Sequence, residues 1–408
     1  MNSIQFTFKG YTYDLEKGQA SFDYSVEGEE SHQFVEKIYF PSVEAEIPEQ
    51  FLKKIFDNLS LILGISYWKL YCPKQIIIQK NSLNREQADF WNKVYTKGLG
   101  EFFYKNKIDY RGLIKFPYEV NAASVISIPR KTRSLVLLGG GKDSIVTSEK
   151  FKEMEKPFDI LMIGEHAIPL KIAKIIGKIP IVIKTELDTK LFELNQRQDT
   201  YNGHVPVSAI YAFLGIMAAA FYDYSEVVVS NEKSANFGNV NYLGEEINHQ
   251  WSKSEEFERL FQDYSQKFIT PDVEYSSYLR ELDEFEITEI FSKYNKYFTV
   301  FSSCNRNFKI NSDDRNKGKR WCGECPKCLF VFILLSAFIP KQELIGIFGK
   351  NLFEDEKLLP LLKETIGVSG FKPFECVGTP QEAKKALEIA SKRDEYKEDS
   401  LMKFYERL

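Results

Sequence analysis

Leu135-Val136-Leu137-Leu138-Gly139-Gly140-Gly141-Lys142-Asp143-Ser144-Ile145-Val146 reads as a buried strand, a tight turn and the opening of a helix. Four apolar residues without polar alternation suit a strand covered on both faces. The glycines that follow let the backbone come close to an anion. The free N–H groups of the helix's first turn and its partial positive charge face the same loop, so the segment predicts a pyrophosphate cradle. Its spacing is not that of a Walker loop, G-x-x-x-x-G-K-[ST]. A dinucleotide fingerprint, G-x-G-x-x-G, would need glycine at position 144. The plainer alternative is a glycine turn without a ligand.

Similar short apolar runs recur downstream at Ile160-Leu161-Met162-Ile163, Ile181-Val182-Ile183 and Val227-Val228-Val229, separated by amphipathic stretches. That pattern predicts an α/β fold whose core is a doubly wound parallel sheet spanning about residues 131–330. Upstream, Ile4-Gln5-Phe6-Thr7-Phe8 and Ala20-Ser21-Phe22-Asp23-Tyr24 alternate as half-buried antiparallel strands do. Helices around 48–64 and 85–103 and an apolar segment Gln75-Ile76-Ile77-Ile78 complete a self-contained N-terminal α+β domain over residues 1–130. After Cys328 the chain is read as a helical C-terminal region, 331–408, with a capping box at Thr379-Pro380-Gln381-Glu382. Its charged end, 392–408, reads as a solvated helix or frayed tail. The uncharged run Tyr201–Tyr222 contains Asn202, His204, Pro206 and Ser208, which favours a buried helix over a membrane span.

The 408 residues are 43% hydrophobic and carry a net charge of −4, so cores are well supplied and no cationic excess exists for a nucleic-acid backbone. The first residues lack a basic stretch followed by an apolar core and cleavage site, from which a cytoplasmic location is expected. Cys304 is followed by 17 residues and then by Cys322-Gly323-Glu324-Cys325-Pro326-Lys327-Cys328. Four soft thiolates on such a knuckle fit a closed, structural Zn²⁺ site. An iron–sulfur cluster and unmetallated thiols are the competing readings. The remaining Cys72 and Cys376 are expected to be small buried side chains.

The string Gly139-Gly140-Gly141-Lys142-Asp143-Ser144 resembles the SGGxDS signature of the PP-loop ATP pyrophosphatases, with Gly139 in place of the usual serine. The resemblance implies that ATP is cleaved between its α and β phosphates and that an oxygen of the substrate is adenylated. Ser144 and the loop amides would hold the pyrophosphate, Asp143 would place Mg²⁺, and Lys142 would neutralise charge on the leaving group. A loop followed by a cysteine knuckle also resembles 7-cyano-7-deazaguanine synthase, which leaves the flanks unexplained. Those flanks resemble the MurL family of ATP-dependent epimerases. The similar stretches are 63–73, 98–104, 202–207, 230–234, 246–254 and 372–379.

Membership in that family implies a UDP-N-acetylmuramoyl-L-alanyl-L-glutamate substrate, an acyl-adenylate and inversion at the glutamyl α-carbon. His249, His204 and Glu246 are candidate proton-transfer groups, being titratable and placed after core elements. Lys69, Lys233 and Lys253 are candidates to meet diphosphate or carboxylates, each with a solvated lysine as the plainer reading. His32 and His166 receive no role. Competing functions are a ligase-like or transferase PP-loop enzyme passing its adenylate to ammonia or an amine, and a nucleotide-binding regulatory module that has lost catalysis. The oligomeric state is not encoded legibly.

Overall fold

A computed structural model describes residues 4–120, 125–309, 316 and 318–408. Among the described residues, eleven strands are β1 Gln5–Asp14, β2 Gln19–Glu27, β3 His32–Tyr39, β4 Gln75–Ile78, β5 Ser134–Leu137, β6 Phe158–Ile163, β7 Ile181–Glu186, β8 Glu226–Val229, β9 Val240–Tyr242, β10 Glu245–Ile247 and β11 Glu274–Ser277. Nine of them form one sheet in the order β11-β8-β5-β6-β7-β3-β2-β1-β4; β9 and β10 make a separate hairpin.

The five strands β11, β8, β5, β6 and β7 are mutually parallel. Their residues point alternately into two cores. Leu135, Leu161, Ile183 and Val227 enter one, together with the helices Val207–Phe221 and Glu255–Phe268. Val136, Ile160, Met162 and Val228 enter the other, with the helices Lys142–Glu153, Ala167–Ile176 and Pro326–Ser336. Burial on both faces is why these strands are continuously apolar in sequence, and it makes the sheet doubly wound, as expected.

The N-terminal strands do not stand apart. β3 pairs antiparallel with β7 through Lys37–Glu186, Ile38–Thr185 and Tyr39–Lys184. Without it β7 would be an open edge with unpaired N–H and C=O groups. The helix Glu49–Leu63 packs on the helix Val207–Phe221 in the same core. The expectation of a self-contained first domain is corrected to a lobe that extends the central sheet.

The run 201–222 contains the helix Val207–Phe221, almost entirely buried, as expected. No helix of the described residues is long and apolar enough to cross a membrane. The capping box forms: the Thr379 side chain accepts from the Glu382 N–H, and the Glu382 carboxylate accepts from the Thr379 N–H. The charged end is not a frayed tail. Tyr396, Leu401 and Met402 are buried against the second core, and Lys341 pairs with Asp399 at 2.7 Å. Apolar residues at intervals among charges anchor it, a pattern that net charge alone conceals.

Candidate functional site

The sheet order places β5 between β6 and β8, so the loops leaving β5 and β8 diverge from one crevice at the carboxyl ends of the strands. The glycine loop occupies that position. Gly140 takes φ +96°, a conformation L-residues rarely adopt, and a Cβ there would lie 3.0 Å from Ile168 Cγ2. Gly141 precedes the helix Lys142–Glu153 without any side-chain cap, which leaves the first-turn N–H groups open to an anion. Ser144 Oγ donates to Gly141 O at 3.1 Å and stiffens the turn. From the loop after β8, Ser230 meets Thr147 at 2.8 Å.

The two glycines make contrasting demands. A Cβ at Gly139 would meet nothing within 4 Å, and Gly139 has no left-handed φ. Gly139→Ser is therefore expected to change stability by no more than about 0.5 kcal/mol. Gly140→Ala is expected to cost about 1–3 kcal/mol from strain and crowding. Urea unfolding of both variants checks the contrast.

Lys142 is not solvent-facing. Its ammonium is buried and bonds to the carboxylates of Asp143 and Glu284. Glu284 also accepts from Lys327 Nζ at 3.0 Å, and these two lysines hold its carboxyl below the usual range against the effect of burial. The Glu284 backbone N–H is in turn held by Glu382 Oε1 at 2.6 Å. Lys142 can reach a leaving pyrophosphate only by exchanging these partners. The network ties the loop to the C-terminal region and leaves Asp143 as its outermost carboxylate, with a side chain 24% exposed.

The cysteine knuckle assembles from two segments. Cys304 follows the end of the sheet domain, while Cys322, Cys325 and Cys328 lie on the turn that starts the helix Pro326–Ser336. The four sulfurs lie within 4.8 Å of one another, with Cys304–Cys325 at 4.0 Å, Cys322–Cys328 at 3.6 Å and Cys325–Cys328 at 3.5 Å. A tetrahedral ion with Zn–S bonds of about 2.3 Å requires sulfur separations of about 3.8 Å. An iron–sulfur cluster binds its thiolates through separate irons and spreads them wider. The geometry therefore fits a single ion, held by all four cysteines with no open position for chemistry. Lys327, between two of these cysteines, donates its backbone N–H to Glu375 Oε2 at 3.3 Å and its side chain to Glu284. The knuckle thus positions both the loop's ion network and the segment 375–377.

A cavity of about 880 Å³ lies between the N-terminal lobe and the carboxyl ends of the parallel strands. Its wall includes Gly164 and His166 after β6, and Asn305, two residues beyond the Ser303 side chain that faces Gly141. His204, His249, Lys69, Lys253 and Cys376 line it. His249 Nδ1 hydrogen-bonds to Glu101 Oε2, and His204 Nδ1 lies 3.5 Å from the same oxygen. His249 Nε2 faces Cys376 Sγ at 3.9 Å.

Electrostatics separate the two imidazoles. Burial lowers His204, and the neighbouring His249 charge lowers it further, to about 3, so it is neutral. Burial also acts to lower His249, but the Cys376 and Glu101 hydrogen bonds and charges push it up to about 9. Burial would raise Glu101, yet His249, His204 and Lys105 hold it down to about 2. For Cys376, burial acts upward and is outweighed by Lys253, His249 and Lys327, which bring the thiol down to about 5. Burial lowers Lys69 to about 8. One ring is thus poised as a cation beside an anion, the other as a neutral donor or acceptor.

Of the residues singled out in the sequence, His204, His249, Lys69 and Lys253 come together in this cavity. Glu246 does not: it sits on β10, exposed on the hairpin and outside the cavity. Lys233 is exposed on a separate surface. His32 pairs with Tyr71 at 3.2 Å, and His166 lines the cavity. Sequence reasoning missed Glu101, Glu284, Lys327 and the environment of Cys376. Cys376 was expected to be a small buried side chain, but the groups facing it are cationic. Only its place in the stretch 372–379 hinted at a role.

Family profiles described as the MurL N-terminal domain and the MurL C-terminal domain match residues 1–278 and 300–407. The chain is 36% identical over 406 residues to the UDP-N-acetyl-alpha-D-muramoyl-L-alanyl-L-glutamate epimerase of Xanthomonas oryzae pv. oryzae (strain MAFF 311018), covering 98% of this chain and 89% of that protein. Identically named proteins of Micromonospora sp. (strain ATCC 39149 / NRRL 15099 / SCC 1413) and Salinispora tropica (strain ATCC BAA-916 / DSM 44818 / JCM 13857 / NBRC 105044 / CNB-440) are 34% and 33% identical. Each match covers 96% of this chain, and 88% and 86% of those proteins respectively. A solved structure described as a predicted subunit of tRNA methyltransferase from Methanocaldococcus jannaschii has a TM-score of 0.26 and 19% identity, covering 40% of this chain and 75% of that one, too slight a likeness to carry an argument. With matches that run through the lobe, the core, the knuckle and the C-terminal helices alike, the chain belongs to the MurL family of epimerases.

Proposed function

We propose that the protein inverts the terminal L-glutamate of UDP-N-acetylmuramoyl-L-alanyl-L-glutamate through an acyl-adenylate made from ATP, releasing AMP and pyrophosphate for peptidoglycan precursor synthesis in the cytoplasm. The observation that carries the reading is one juxtaposition. A glycine loop suited to phosphate and a cavity lined by lysines and a histidine pair lie at the carboxyl ends of the neighbouring strands β5 and β6, the cavity-lining His166 standing two residues before the Ile168 that crowds Gly140. The names of the relatives supply the substrate.

The chemistry requires both parts. Removing the α-proton of an ionised glutamate sets a second negative charge beside the first. Adenylation removes the first charge and lets the carbonyl take up the second as an enolate; each pKa unit gained is worth about 1.4 kcal/mol of barrier. The loop amides and the helix N-terminus bind the β and γ phosphates. Asp143 would hold Mg²⁺, which would supply positive charge to the leaving pyrophosphate. Lys253 and Lys69 face the substrate's anionic groups, and the cavity walls limit water that would hydrolyse the adenylate early. Cys304, Cys322, Cys325 and Cys328 would hold Zn²⁺, which would fix the knuckle from which Lys327 reaches Glu284 and Glu375.

Incubation with ATP, Mg²⁺ and the muramoyl dipeptide in D₂O is expected to yield AMP and D-glutamate deuterated at the α-carbon. AMP accompanied by a new amide would instead indicate a ligase. Absence of both AMP and D-glutamate from folded, metal-loaded protein would sink the reading.

A further inference from the structure

We propose that Cys376 is the acid–base group that moves the α-proton on one face of the substrate's glutamyl carbon, held in place by His249 and Glu101. This rests on the reading above that the reaction passes through an enolate.

Three distant parts of the chain converge to make the arrangement. Glu101 comes from the helix Gly100–Asn106, His249 from the loop after β10, and Cys376 from the segment before the last long helix. Glu101 fixes one nitrogen of the ring, so the other must face the sulfur at 3.9 Å. Such an order, a sulfur, an imidazole and an orienting carboxylate, is that of an activated thiolate. The segment carrying the sulfur is clamped on both sides. Glu375 accepts from Asn305 at 2.8 Å and from the Lys327 N–H, while Val377 O accepts from Gln250 at 3.1 Å. A clamp on each neighbour holds a reactive atom where packing alone would let it drift.

The charged groups that face the sulfur are Lys253, His249 and Lys327, with Lys372 and Glu375 on its own segment. An apolar packing cysteine would have no such company. Glu101, His204 and His249 also bring ligand atoms within 4.8 Å of one another, as a metal site would. The direct Glu101–His249 hydrogen bond leaves no room for an ion between those two, so the cluster is better suited to a proton.

In the step, the Cys376 thiolate takes the α-hydrogen: the S–H bond forms, the Cα–H bond breaks, and its electron pair moves to the acyl carbonyl oxygen as an enolate. The electron pair then returns to the α-carbon, which accepts a proton on its opposite face from a second protonated group. Lys69 offers an ammonium in the same cavity; its side chain is buried and has no ion-pair partner among the described residues. Proton exchange with solvent restores both groups, and hydrolysis of the adenylate releases the D-glutamyl product.

Cys376→Ser is the test, in ATP, Mg²⁺ and D₂O, starting separately from the L- and the D-glutamyl substrate. Inversion in both directions should fall by at least about 100-fold. α-Deuteration of one of the two epimers should be lost, while substrate-dependent AMP release continues. Zinc content and melting temperature compared with the wild type establish that the variant folds. If it does not, alkylation of wild-type Cys376 by iodoacetamide at pH 6 gives the second measurement. It should proceed at that pH, and it should abolish inversion before AMP release. Inversion by the serine variant within about tenfold of wild type overturns the proposal, as does a muramoyl-dipeptide mass adduct on Cys376, which would make the sulfur a nucleophile. A wild-type protein that forms neither AMP nor D-glutamate overturns the underlying reading, and this role with it.

Discussion

Cys325→Ser combined with Cys328→Ser is expected to yield a protein that melts at least about 10 °C lower than the wild type or does not fold. A closed four-thiolate zinc site contributes about 10–16 kcal/mol of apparent binding free energy in small zinc domains, comparable to the whole stability of most proteins. Here the effect would spread beyond the knuckle. Its helix Pro326–Ser336 is almost wholly buried and packs against the helix Pro380–Ser391, and Lys327 carries the contacts to Glu284 and Glu375. Loss of the ion should therefore loosen the loop network and the cavity wall together. Calorimetry of the variant, alongside metal analysis of the wild type for one zinc per chain, measures this. Unchanged melting, or iron in place of zinc, would refute the structural-zinc reading.

The second large effect is chemical rather than structural. Asp143→Asn should lower AMP release by about 10²–10³-fold, the scale reached when one group stabilising a developing charge is removed. Stability should fall by about 1–3 kcal/mol: the amide still accepts from the buried Lys142, and Glu284 keeps its charge there, but the Asp143 charge on that ammonium is lost. Lys142→Met would be a poorer test, because removing one partner of a buried pair costs about 3–5 kcal/mol and would confuse folding with catalysis. Parallel measurement of AMP formation and melting temperature for Asp143→Asn separates the two. A rate within a few-fold of wild type would remove Asp143 from the proposed magnesium site.

The local features were legible because local physics makes them. β5, the glycine turn and the following helix could be read from a run of apolar residues, the freedom of glycine and the polarity of a helix start. The capping box at Thr379 and the buried helix within 201–222 followed in the same way. The cysteine spacing announced a knuckle, since thiols three apart at the start of a helix converge on one point. What resisted reading depended on partners far along the chain. β3 is a strand by its own residues, but nothing in them says that it closes the edge of β7, where Ile38 pairs with Thr185. Glu246 and His249 stand close in sequence, yet the hairpin turns one to solvent and the cavity takes the other.

The sequence by itself determined the chain's family, its α/β class, the glycine loop between β5 and its helix and the four-cysteine knuckle, because each rests on residues within one short span or on a similarity along the whole length. Only the tertiary structure decided that Lys142 is locked to Glu284, that Cys376 faces His249 and lysines, and that Glu101 orients the imidazole. A side chain's charge and reactivity are set by what surrounds it in space. Those neighbours, 142, 127 and 148 residues away along the chain, are joined only when the sheet and its two cores have formed.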